Sequence, residues 1–194
     1  MSTYTDIRYD YNLPSGFGGS LNLISEQTAS GSASISFTSE IDSTYRTYIF
    51  KYINIHPSSD ASQFEFNLSS DGGSNYNVTK QSSYFIAYNL ESGGSGFEYL
   101  GSKDLANSTS VQPLIRYMGN GSDEAGSGYL HLYNPSSTTF VKHFIASGNM
   151  YRADDGTETN LVGGYGNTTS AINAIQFSIS TGTFDGTIKM YGIA

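Results

Sequence analysis

The chain has no cysteine, no tryptophan, only four prolines among its 194 residues, and just 13% charged residues. Without cysteine there is no disulfide framework, no thiol nucleophile and no Cys-based zinc site. A protein without thiols is also indifferent to the redox state of its compartment. The charge that is present is lopsided, with 17 acidic residues against 9 basic ones and a net charge of −8. A surface so poor in Lys and Arg is repelled by phosphate backbones and anionic lipid, which argues against nucleic acid and membrane as partners. No apolar run approaches the roughly 20 residues of a membrane-spanning helix. The opening "MSTYTDIRYD" has no basic region leading into an apolar core, so no signal peptide is expected.

The parts needed for common reactions are equally sparse. No G-x-S-x-G elbow or Walker-type phosphate loop occurs. The glycine-rich stretches "GGSGF" and "GGYGN" lead into no helix and read as hairpin turns. Of the three histidines, His131 and His143 fall on neighbouring expected strands, where they could face each other as a cross-strand pair. His56 stands apart, and no HxH or HExxH spacing supplies the further ligand a metal would need. The acidic groups Asp123 and Glu124, and Asp154, Asp155 and Glu158, sit in turn-like clusters. Glycoside hydrolysis needs two carboxylates held roughly 5–9.5 Å apart across a cleft, and these read more simply as solvated turn acids. Neither cluster matches a calcium loop. No catalytic residue, metal or cofactor is expected.

What is present is a strand pattern. In "QFEFNLS", Phe64, Phe66 and Leu68 share one face while Glu65 and Asn67 take the other. "AIQFSIS" alternates Ile175, Phe177 and Ile179 with polar residues, and "GYLHLYNP" sets Leu130 and Leu132 opposite Tyr129, His131 and Tyr133. "FVKHFIAS" places Val141, His143 and Ile145 on one side and Phe140, Lys142 and Phe144 on the other. The longer run "TYRTYIFKYINIHP" is apolar on both faces, with Tyr48, Phe50 and Tyr52 against Ile49, Ile53 and Ile55. Such a strand suits the middle of a sheet whose outer face is also covered. Turn clusters, among them "SSDGGSN", "ESGGSG", "GNGSDEAGSG" and "VGGYGNTT", separate the runs at sandwich-like spacing. Segments 58–63 and 103–108 form a helical turn at most. The chain even ends on an alternating run, "GTIKMYGIA", which predicts a closing strand in the interior of a sheet.

These patterns predict an all-β fold, a two-sheet antiparallel β-sandwich of jelly-roll type spanning 34–194. Residues 1–33 are either its first strand or an arm that attaches to a partner. In the arm reading Ile7, Tyr9, Tyr11 and Leu13 fill pockets on that partner. The 16 tyrosines and 11 phenylalanines, set among Ser, Gly and Asn, suit either half-buried strand positions or a recognition surface.

Two long segments carry a resemblance. The first is "YRTYIFKYINIHPSSDASQFEFNLSSDGGSNYNVTKQSSYFIAYNL", an aromatic strand followed by Asn-Ile-His-Pro, a Phe-x-Phe strand and an Asp-Gly-Gly turn. The second is the ending "AINAIQFSISTGTFDGTIKMYGIA", and "GSGYLHLYNPSSTTFVK" between them fits the same pattern. Over roughly residues 40–194 the chain resembles small β-sandwich virion proteins of tailed bacteriophages, especially those of marine hosts. The family pattern more often has Leu where Met190 stands. The resemblance implies a non-enzymatic structural role, made in a bacterial cytoplasm and resident in the virion. There the chain would decorate the capsid or form a head or tail appendage by docking to other virion proteins and to copies of itself. Two rivals remain. One is a carbohydrate-binding adhesin whose loops stack Tyr99, Tyr151 or Tyr165 on host glycans; the other is a polysaccharide hydrolase using Glu124 or Asp154.

Overall fold

In the computed structural model, which describes residues 21–193, the chain forms twelve strands and no helix among the described residues. They are β1 (Asn22–Ser32), β2 (Ser34–Phe37), β3 (Thr47–Pro57), β4 (Ser62–Ser69), β5 (Lys80–Leu90) and β6 (Ser95–Tyr99). After these come β7 (Gln112–Met118), β8 (Gly126–Tyr133), β9 (Lys142–Tyr151), β10 (Gly156–Gly166), β11 (Ala174–Ile179) and β12 (Phe184–Ile193). Two antiparallel sheets result, one ordered β1-β12-β3-β8-β9-β10-β5-β6 and the other β2-β11-β4-β7.

Setting aside β5, β6, β9 and β10 leaves eight strands, arranged 1-12-3-8 in one layer and 2-11-4-7 in the other. Successive strands cross between the layers except β4 and β7, which pair within the small sheet, and the last returns beside the first. This is the double Greek-key winding of a jelly roll, as expected. The other four strands are two inserted hairpins. One sits between β4 and β7 and the other between β8 and β11, and together they widen one sheet from four strands to eight.

The core follows the alternation read in the sequence. Phe64, Phe66 and Leu68 of β4 face Tyr48, Phe50 and Tyr52 of β3, and all six are fully buried. Phe64 stacks on Phe177 at 5.7 Å and meets Tyr52 and Phe184 at tilted or edge angles. Each such side chain contributes roughly 1.5–3 kcal/mol by leaving water. The closing run is interior, as expected: β12 pairs with β1 on one side and β3 on the other, burying Phe184, Ile188 and Met190.

The structure corrects several finer readings. Ile55 joins the core beside Tyr52 instead of facing away, because Asn54 takes a positive φ of 51° and the pairing with β8 shifts between Tyr52 and Ile55. That bulge reverses the alternation. Ile49, only 5% exposed, stands between its paired sheet neighbours Tyr191 and His131. On β9 the inward set is Lys142, Phe144 and Ala146, while His143 and Ile145 point outward.

"GGYGN" is no turn, since Gly163, Gly164 and Gly166 lie inside β10. A Cβ on Gly164 would come within 2.3 Å of the Gln81 carbonyl oxygen and 2.8 Å of the Phe144 ring, so glycine marks a close approach there, not a bend. Within the segment 1–33 set apart in the sequence, 22–32 form a full strand of the large sheet. Ile7, Tyr9, Tyr11 and Leu13 lie outside the described residues.

Candidate interaction surface

The inserted hairpins create a broad outer face. Residues directly paired in an antiparallel sheet share a face, so one row can be followed across all eight strands. From edge to edge it reads Tyr99, Phe85, Leu161, Ser147, Tyr129, Lys51, Lys189 and Glu26. At about 4.8 Å per strand this face is roughly 34 Å wide.

Its two halves differ chemically. Toward β1 it is charged: Lys189 pairs with Glu26 at 3.0 Å, and Lys51 lies over the Tyr191 ring. Toward β6 it is apolar and exposed. Phe97 is 75% exposed and stacks on Phe85, while Tyr99 meets Phe85 edge-on at 5.1 Å. Leu161, Ile145 and Tyr129 are also exposed. All these apolar residues except Tyr129 lie on the inserted strands.

His131 and His143 share this outer face without opposing each other. His131 pairs with Ile145 and is flanked by Tyr129 and Tyr133, while His143 pairs with Tyr165 and meets its ring at 5.8 Å. No group of three metal-ligating side chains occurs among the described residues.

At the end of the face, where β5, β9 and β10 finish or begin, lies a groove of about 390 Å³. Asn89, Glu91, Tyr151 and Thr157 line it. The Tyr151 hydroxyl lies 3.3 Å from both Glu91 Oε1 and Asp155 Oδ1. Desolvation and the two carboxylates push its phenol up to about 12. The glycan reading placed Tyr99, Tyr151 and Tyr165 in loops, but all three lie on strands, and only Tyr151 lines this groove.

Beneath the same strands the interior turns ionic. The small sheet ends at β7, and the inserted strands overhang it. In that overhang Glu158 is fully buried, contrary to the solvated turn acid expected from the sequence. Arg116 of β7 grips it with Nε and Nη2 at 3.0 and 2.8 Å, and Arg152 Nη1 donates to the same carboxylate. Arg152 also grips Asp154 at 2.6 and 2.8 Å, with the Tyr88 and Tyr117 rings against its guanidinium. Burial raises the Glu158 carboxyl, and the two guanidinium groups oppose that rise. Two cations and two anions balance, so these carboxylates are engaged in holding the overhang. Glu124 is engaged too, accepting the Gly121 N–H at 2.6 Å in its own turn. The sequence misses this cluster because, although Arg152, Asp154 and Glu158 are local neighbours, the Arg116 that turns Glu158 into a buried anion comes from β7, 42 residues earlier.

Comparison with protein-family models, with curated proteins and with solved structures finds no match.

Proposed function

We propose that the chain is a non-enzymatic structural protein of a bacteriophage virion, decorating the capsid or forming part of a head or tail appendage. It docks there to other virion proteins and to copies of itself, and works without metal or cofactor. The observation that carries this reading is the outer face of the eight-stranded sheet, wide and studded with exposed Phe97, Tyr99, Leu161 and Ile145. Large apolar residues left in water by an otherwise well-packed fold suit the centre of a protein interface, and the Lys51–Lys189–Glu26 half suits its polar rim. The jelly-roll winding agrees, since capsid proteins are prominent among its users. The N-terminal segment supplies a second contact by strand addition, with Ile7, Tyr9, Tyr11 and Leu13 as its apolar set.

The test is immunogold labelling of intact particles together with incorporation of a chain lacking residues 1–14. Regular labelling and loss of the truncated chain from particles are expected. Unlabelled particles would refute the virion assignment, and full incorporation of the truncation would refute the arm.

The groove at Tyr151 favours a second reading, a carbohydrate-binding adhesin for host surface glycans. An aromatic ring beside Asn89, Glu91 and Thr157 offers a stacking plane and polar contacts for sugar hydroxyls. Saturable glycan binding that disappears in Tyr151→Ala would support it, and a silent glycan array would remove it.

A further inference from the structure

A chain without cysteine has no disulfide to join its two sheets, yet one pair of side chains is arranged for another covalent link. Lys80 opens β5 in the large sheet, and Asn67 lies near the end of β4 in the small one. Lys80 is fully buried and Asn67 is 5% exposed. Lys80 Nζ donates to Asn67 Oδ1 at 2.5 Å and to the Val78 carbonyl at 3.0 Å. Among the described residues no carboxylate forms an ion pair with it.

A buried ammonium without a counter-ion is costly. Burial accordingly pulls Lys80 down to about 7, so a large share of it is neutral amine near neutral pH. A neutral, desolvated amine is a nucleophile. The amide it touches is held in place, with Asn67 Nδ2 donating to the Thr109 carbonyl at 3.0 Å and Oδ1 accepting the Leu68 N–H at 2.9 Å. Donors on that oxygen polarise the carbonyl and stabilise the negative charge that attack would place there.

We propose that the folded chain joins Lys80 to Asn67 through an intramolecular isopeptide bond. In the step, neutral Lys80 Nζ attacks Asn67 Cγ and the Cγ–Nδ2 bond breaks. A proton from Nζ passes to the departing nitrogen, and ammonia leaves; no oxidant or reductant takes part. The product stitches one sheet to the other at the mouth of the β4–β5 connection.

The intact mass of the purified full chain decides the matter. It should fall short of the sequence mass by one ammonia. Trypsin should leave the chain uncut after Lys80, releasing one peptide from Tyr52 to Lys103 whose fragments place the link at residues 67 and 80. Lys80→Arg should recover the missing ammonia. A wild-type chain at its full sequence mass would overturn the proposal. So would a missing ammonia with normal cleavage after Lys80, which would locate the loss in a succinimide.

Discussion

Glu158 and Glu65 are both buried acids, and they should respond oppositely to neutralisation. Glu158 sits between Arg116 and Arg152, so Glu158→Gln leaves two guanidinium groups facing a neutral amide inside the protein. Removing one partner of a buried ion pair costs about 3–5 kcal/mol, mostly as the penalty of the charge left behind. Thermal melts should show a large loss for Glu158→Gln. The Glu158→Leu, Arg116→Leu double variant should lose clearly less than the two single losses added together. Glu65 forms no ion pair at contact distance among the described residues. Its carboxyl is raised to about 7 by burial, opposed by Lys103. The folded state therefore holds a proton that the unfolded chain releases near its ordinary value of 4.5. The stabilisation it contributes is present below pH 4.5 and is lost as pH rises toward 7. Glu65→Gln should flatten that slope and raise stability at pH 8 by on the order of 1–3 kcal/mol. Titration of melting temperature from pH 4 to 8 checks both the sign and the window.

Among the elements, β12 bears the most consequence for the fold. It lies between β1 and β3, so losing it removes two ladders and the buried Ile188 and Met190 at once. Truncation after Gly186 should abolish cooperative unfolding by circular dichroism. Ile188→Ala alone should cost about 2–5 kcal/mol as a cavity in a packed layer. This strand was legible in the sequence because its period of two survives the Gly186 shift, with Ile188 and Met190 in phase. β4 and β11 were legible for the same reason. The failures share a cause as well. Glycine was read as a bend in "GGYGN", whereas in β10 it makes room for the Gln81 backbone and the Phe144 ring, partners distant in the chain. Ile55 was misplaced because a bulge at Asn54 leaves no trace in hydrophobic alternation. The outer face was hidden for a related reason. Phe97, Leu161 and Ile145 are an ordinary apolar phase of three separate strands until register sets them side by side.

At the scale of the whole molecule, the insertions make the two faces of the large sheet unequal. An eight-strand jelly roll buries one face of each sheet and leaves the other to water. The added strands follow that plan only in part: they bury Tyr84, Ile86, Phe144 and Val162, yet they also put the polar Glu158 and Asn160 inward and leave Leu161, Phe97 and Ile145 exposed. That mixture weakens the isolated molecule in two ways, by desolvating charge and by exposing hydrocarbon. It is consistent with a surface whose energetic return comes on association. Changing Phe97 and Leu161 together to Ser should therefore leave the melting temperature of the lone chain unchanged or slightly raised, because neither side chain packs in the core. The same change should reduce self-association in sedimentation and binding to particles by tenfold or more, a loss of at least about 1.4 kcal/mol. The charged half provides an internal control. Lys51→Ala and Lys189→Ala should alter the salt dependence and association rate more than the final affinity. If the apolar pair proved neutral for association while the lysines abolished it, the hairpins would not be the docking face, and the interface would lie toward β1 and the segment that precedes it.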